Sequence, residues 1–306
     1  MGAYLLARLV HSVFVLWGAL TVVFVVVRAV PGDPAQLMVG SQGTQQDVEA
    51  LRQRLGLDQP LGVQYVSYLG QVVRLNFGPS LRLDQPAAQA VAERVPATGL
   101  LAVTAMLVAV VVSLPLGILA ALGHRTPIDR LISVVSLLGQ SVPNFWLGIM
   151  FILVFARALQ WLPSAGIGTW QQVVLPAATL ALLLVGLLTR LVRSGLLEVL
   201  HDDYVRTARA KGLPPRTVLA RHALPNALIP VITVAGLQFG QLLAGAVIVE
   251  TVFAWPGVGR LLVDAISNRD YPVVQAAILL VTAGFIVVNL LVDLSYAYLD
   301  PRIRYG

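Results

Sequence analysis

YVRTARAKGLPPRTVLARHALPNALIPV, residues 204–231, decides how the rest of this chain is read. It is polar and basic, and it lies between two long apolar runs. Its two arms of about ten residues read as short helices. They are broken at Gly212-Leu213-Pro214-Pro215, because proline cannot continue the hydrogen-bond ladder. On the first arm Val205, Ala208 and Gly212 follow one helical spacing, and Arg206 and Arg209 share another face. A basic amphipathic helix lying on anionic lipid is one reading. The double proline favours the other: a defined turn, and so a rigid cytoplasmic lever shaped for a partner.

Working outward, the composition fits a membrane chain. Of 306 residues, 57% are hydrophobic and 12% are charged, with a mean hydropathy of +0.80. Soluble domains carry about 25% charged residues. Six apolar runs are long enough to be membrane helices of about 20 residues: Leu9–Val30, Gly99–Leu122, Leu131–Phe155, Val173–Leu188, Leu228–Val249 and Val273–Val292, the fourth being the shortest. Only helices are expected, since lipid offers no partner to an open strand edge. The predicted fold class is an all-α polytopic membrane protein. Leu9–Val30 exceeds a signal-peptide apolar core of about 7–15 residues and is read as an uncleaved first span.

Charge sets the orientation. With the N-terminus inside, the short inner segments hold twelve basic residues and the short outer ones three, or four with Arg28. That bias places both termini in the cytoplasm. It also explains the net charge of +6 without nucleic acid. The chain then divides into residues 1–30 (N-terminus and first span), 31–97 (an extracytoplasmic segment) and 98–306 (a five-helix core with its cytoplasmic loop at about 195–227). In the outer segment Asp47–Leu57 is predicted helical. Val66, Leu69 and Val73 mark the apolar face of a second helix, and Asn76-Phe77-Gly78-Pro79 a turn.

Several chemistries lack their residues. There is no cysteine, and the four histidines are scattered, so no metal cluster is proposed. No Gly-x-Ser-x-Gly or Ser-x-x-Lys pattern supports an intramembrane enzyme. No carboxylate lies at mid-span: Glu250 is near the outer end of the fifth span and Asp293 near the inner end of the sixth. That disfavours an ion-coupled carrier, the main rival class. A P-loop needs Gly-Lys-Ser/Thr. The sole lysine, Lys211, precedes Gly212, so any use of ATP belongs to a partner. Gln140, Asn144, Gln238, Gln241 and Asn289 are candidates for the wall of a hydrated path. For each of them, interhelix hydrogen bonding is the competing role.

The loop resembles the Glu-Ala-Ala loop of ABC importer permeases. Arg206-Thr207-Ala208 stands in the Glu-Ala-Ala place, Gly212 is the glycine, and Leu224-Pro225 follows at the expected distance. Arg206, Thr207 and His222 depart from the general pattern, and YVRTARAKG is similar to the dipeptide/oligopeptide branch. Pro31-Gly32-Asp33-Pro34, Leu55-Gly56-Leu57-Asp58-Gln59-Pro60, Phe145-Trp146-Leu147-Gly148, Glu250–Gly257, Arg269-Asp270-Tyr271-Pro272 and the tail Asp300–Arg304 resemble that branch in order. The likeness is to its first-permease type, as in dipeptide, nickel and glutathione importers. Leu57–Leu61 and Trp161-Leu162-Pro163 are most similar to the glutathione-type members.

The resemblance implies a six-helix, type I importer-like permease in a bacterial inner membrane. It implies a second homologous permease, two ABC ATPase subunits and an extracytoplasmic binding protein as partners, with ATP and magnesium on the ATPases. Tyr204, Arg206, Thr207, Ala208, Arg209, Lys211, Gly212, Leu224 and Pro225 would form the ATPase-coupling loop.

Overall fold

The computed structural model describes residues 2–29, 34–39, 44–54 and 56–299. Pro31-Gly32-Asp33, Leu55 and the tail from Asp300 lie outside the described residues. The helices are α1 (Gly2–Ala29), α2 (Pro34–Val39), α3 (Gln45–Arg54), α4 (Leu61–Val73), α5 (Ala87–Ala92), α6 (Val95–Leu122), α7 (Pro127–Ser141) and α8 (Asn144–Phe151). They continue with α9 (Trp170–Val199), α10 (Asp203–Ala210), α11 (Pro215–Thr217), α12 (Leu224–Ala227), α13 (Ile229–Val252), α14 (Val258–Ser267) and α15 (Tyr271–Leu299). Among the described residues the extended pairing is an isolated bridge, Pro79 with Pro86.

Each predicted apolar run falls on helix, with two corrections. The third run is not one rod. α7 and the helix from Asn144 meet at 103°, because Val142 is extended and Pro143 caps α8. The residue before a proline is pushed out of helical geometry. Beyond Phe151 the chain continues in wide i→i+5 turns to Ala158. The fourth run is not short: α9 has 30 residues. It runs past Arg190 and Arg193, because Arg193 finds a carboxylate partner.

The chain forms two compact units. The first comprises residues 1–96 and 257–284. Here α1 packs on α4 through Leu20, Phe24, Tyr65, Tyr68 and Val72. The Thr21 and Tyr65 hydroxyls share a hydrogen bond of 2.6 Å. Arg28 donates to Gln64 and covers the Phe24 ring at 3.6 Å, a cation–π arrangement. The α4 helix is as predicted and Leu69 lies on its packed side, but Val66 and Val73 are exposed, and Tyr68 and Val72 are buried instead. The two tyrosines supply more apolar area against Phe24 than the valines could. The predicted turn is present, with Gly78 at φ +85° and its N–H bonded to the Asn76 side chain. Asp270 accepts from the Ser80 hydroxyl and the Leu81 N–H.

The second unit comprises residues 97–256 and 285–306, and α9 runs through its core. Ala97, Leu101, Ala102, Ala105 and Ala109 of α6 share one buried apolar cluster with Leu180, Leu184, Leu188 and Val192 of α9. Small residues let helices approach closely where lipid supplies no hydrophobic drive. Fully buried Glu250 accepts from the Thr98 hydroxyl at 2.6 Å. The indole N–H of Trp255, also fully buried, donates to the Ala97 carbonyl at 2.9 Å. Asp293 has no described side chain.

Candidate functional site

The loop after α9 is the candidate site. α10 buries Val205 and Ala208 against Val218, Val199, Leu200 and Leu213. Burying a valine contributes about 1.5–3 kcal/mol, and this small core fixes α10 against the second arm. Arg206, Thr207, Arg209 and Lys211 are exposed on the opposite side. The Arg206–Asp203 pair, 3.3 Å apart, is open to solvent on both sides and contributes little to stability.

Gly212 lies past the end of α10 rather than on its face. Its φ is +77°. The Gly212 N–H bonds the Arg209 carbonyl at 3.0 Å, and the Leu213 N–H reaches the Ala208 carbonyl at 3.4 Å. Together these bonds form a Schellman stop, with Leu213 and Ala208 in apolar contact. Only glycine adopts this conformation without cost. A side chain at Gly212 would meet nothing within 4 Å in this chain. The glycine is therefore required for its dihedral angle and not for space.

The second arm begins at α11, with Pro215 in the first turn, where its missing N–H is not needed. From Val218 to Ala223 the turns widen, and the Leu224 N–H reaches back to the Leu219 carbonyl. Pro225 accounts for this: its ring would meet the Arg221 carbonyl in a regular helix. Leu224-Pro225 then opens α12. Asn226 donates to the Tyr204 hydroxyl at 2.8 Å and to the His222 carbonyl at 3.2 Å, which ties the two arms together. Ala223 and Ala227 pack on Leu196 of α9 and Ala121 of α6. A side-chain carbon at Gly195 would come within 2.9 Å of the Ala227 carbonyl oxygen. The loop is thus fastened to the C-terminal end of α9, and a bend of 47° separates its second arm from α13.

Sequence reading missed Asn226 and Gly195. Asn226 directly follows Leu224-Pro225, and the signal for it was weak: a polar residue on a short apolar helix. The path candidates are dispersed. Gln140 covers Gly186 and donates to the Ser136 carbonyl. Asn144 begins α8 just beyond the bend. Gln238 is half-buried and Gln241 exposed on α13, and Asn289 of α15 lies beside Gly240. Two apolar cavities of about 690 and 480 Å³ are lined by none of the five.

With this geometry in view, the comparisons with known proteins identify the family. A family model described as binding-protein-dependent transport system inner membrane component matches residues 113–305, and its N-terminal counterpart matches residues 1–102. The chain belongs to that family. It is 44% identical over 302 residues to the glutathione transport system permease protein GsiC of Escherichia coli strain K12, covering 99% of each chain. The protein of the same name from Salmonella paratyphi A is 43% identical over 302 residues, again with 99% of each chain covered.

Among solved structures, an inward-facing MetNI methionine ABC transporter chain aligns with a TM-score of 0.60 at 17% identity, covering 69% of this chain and 97% of that one. An amino acid ABC transporter crystallised with histidines gives 0.54 at 14% identity, covering 69% and 94%. At these identities the likeness concerns the fold, which is the type I importer permease fold. The chain is therefore a multi-pass inner-membrane permease subunit of an ABC importer. It is not itself an enzyme, and it works with an ATPase and a substrate-binding protein.

Proposed function

We propose that this permease imports glutathione or similar small peptides, with residues 204–225 as its ATPase-coupling loop. The observation that carries the loop assignment is its construction: a basic exposed face on a small private core, fastened to the end of α9. The substrate reading rests on similarity to GsiC along the whole chain. The complex would contain a second homologous permease, two ATPases and an external binding protein, with both termini of this chain in the cytoplasm. Residues 31–97 would form the extracytoplasmic segment, and Gln238 and Gln241 are the leading candidates for the path. A nickel or other small-solute importer is the alternative cargo class. Uptake of labelled glutathione and of dipeptides into vesicles holding the assembled complex decides between them. Uptake of nickel in place of both would replace the peptide reading.

Gly212 tests the loop. Gly212→Val forces a β-branched residue into the left-handed region, at about 1–2 kcal/mol, and should misdirect the second arm. ATP-driven uptake is expected to fall strongly at normal membrane abundance. Gly212→Asn, which tolerates that conformation, is expected to retain most uptake. Equal uptake by all three chains would remove Gly212 from the coupling path. The purified chain, lacking a P-loop, is expected to show no ATP turnover until its ATPase is added.

A further inference from the structure

We propose that Asp129 and Arg193 are positioning residues that make α7 and α9 one rigid body, through which movement of the loop reaches the bend at Val142-Pro143. The proposal rests on the importer reading for its motive force. Its mechanical half stands on the geometry alone.

Asp129 lies in the first turn of α7 and is buried, with 4% of its surface exposed. Arg193 lies on α9, one turn before the residues that hold the loop. Its Nε donates to Asp129 Oδ1 at 2.6 Å and its Nη2 to Oδ2 at 2.9 Å. This two-pronged pairing fixes orientation as well as distance. His124 completes the cluster, with Nδ1 3.2 Å from Arg193 Nη2 and 3.4 Å from Asp129 Oδ2. Asp129 also accepts the Arg125 N–H at 2.9 Å. Arg125 is left-handed, with φ +67°, a cost that this bond offsets. One carboxylate therefore shapes the turn from α6 into α7 and clamps that turn to α9.

Farther along, the same two helices meet closely. The Ser136 carbonyl of α7 lies against Gly186 of α9, and Gly139 faces Leu182 at ordinary contact distance. The bend begins two residues after Gln140. The loop holds α9 at Gly195 and Leu196, the clamp lies at Arg193, and the bend lies at the far end of α7. Between these points α9 touches α7 at Arg193, Gly186 and Leu182.

The chain contains no cysteine, so a single pair of spin labels can be placed without background. Labels at Ile128→Cys and Arg190→Cys, both exposed positions, report the α7–α9 distance. The full chain is measured in nanodiscs, alone and with its ATPase, with and without ATP. A narrow, nucleotide-independent distribution is expected for the parent. Arg193→Gln is expected to broaden it and, in vesicles holding the assembled complex, to lower uptake per ATP hydrolysed roughly tenfold, since removing one partner leaves a buried charge. Arg193→Lys, a point charge without the fork, should give an intermediate width and remains testable if Arg193→Gln does not insert. Asp129→Asn keeps an acceptor for Arg125 and should broaden the distribution without losing insertion. A narrow distribution in Arg193→Gln overturns the rigid body. Broadening with unchanged uptake per ATP overturns its part in coupling. If the parent complex imports nothing, the importer reading fails while the distance measurement still decides the clamp.

Discussion

Chains carrying Gly186→Val are expected to lose their fold in detergent under conditions where the parent stays monodisperse. Gly186 lies where α9 crosses α7, and a side-chain carbon there would overlap the Ser136 carbonyl oxygen and crowd Gln140. The obstacle is backbone, so no rotamer change relieves it, and the helices must separate. Overpacking of this kind costs about 1–3 kcal/mol where side chains can yield, and more where they cannot. Thermal stability of the solubilised chain, followed by size-exclusion chromatography, gives the measurement. Gly245→Ala is the control: a side chain there meets nothing within 4 Å, and alanine favours helix over glycine by about 0.5–1 kcal/mol. Equal midpoints for Gly186→Val and the parent would show that α7 and α9 do not pack as described.

The second large effect is expected at Trp255. Replacement by alanine should destabilise the chain by about 3–5 kcal/mol. Most of that loss is packing, which a membrane protein needs as much as a soluble one, since an empty cavity gains nothing from lipid. The rest is the second hydrogen bond to the Ala97 carbonyl, the one that the indole donates. Trp255→Phe keeps most of the volume and isolates the hydrogen bond, with a cost of about 0.5–1.5 kcal/mol, since the Ala97 carbonyl keeps its place in the α6 ladder. Ala254, immediately before, is left-handed at φ +49°, and the Trp255 N–H is bonded to the Glu250 carbonyl at 2.8 Å. The turn at the end of α13 is thus held by the same residue. A thermal midpoint for Trp255→Ala within a degree or two of the parent would refute this account.

Local rules made the helices and the loop legible. Pro214-Pro215 and Gly212 marked the break, and the alternation of Val205 and Ala208 with Arg206 and Arg209 gave the buried and exposed sides of α10. The rest depended on partners far away in the chain. α9 was read as ending before Arg190 because hydropathy treats arginine as an exit from the membrane, and Asp129, 64 positions away, reverses that for Arg193. The bend at Pro143 had a local signal, a proline after Ser141-Val142, but the surrounding apolar run outweighed it. On α4 the valines were chosen over the tyrosines, since periodicity alone cannot say which of two overlapping stripes finds an aromatic partner. Asn226 was invisible for a similar reason: its hydrogen-bond partner, Tyr204, lies on the other arm.

The length of α9 has a consequence for its reach. Thirty residues at 1.5 Å each make a rod of about 45 Å. A bilayer with its headgroups is about 40–45 Å thick. The rod is therefore as long as the whole lipid layer is thick, and α10 follows it after three residues.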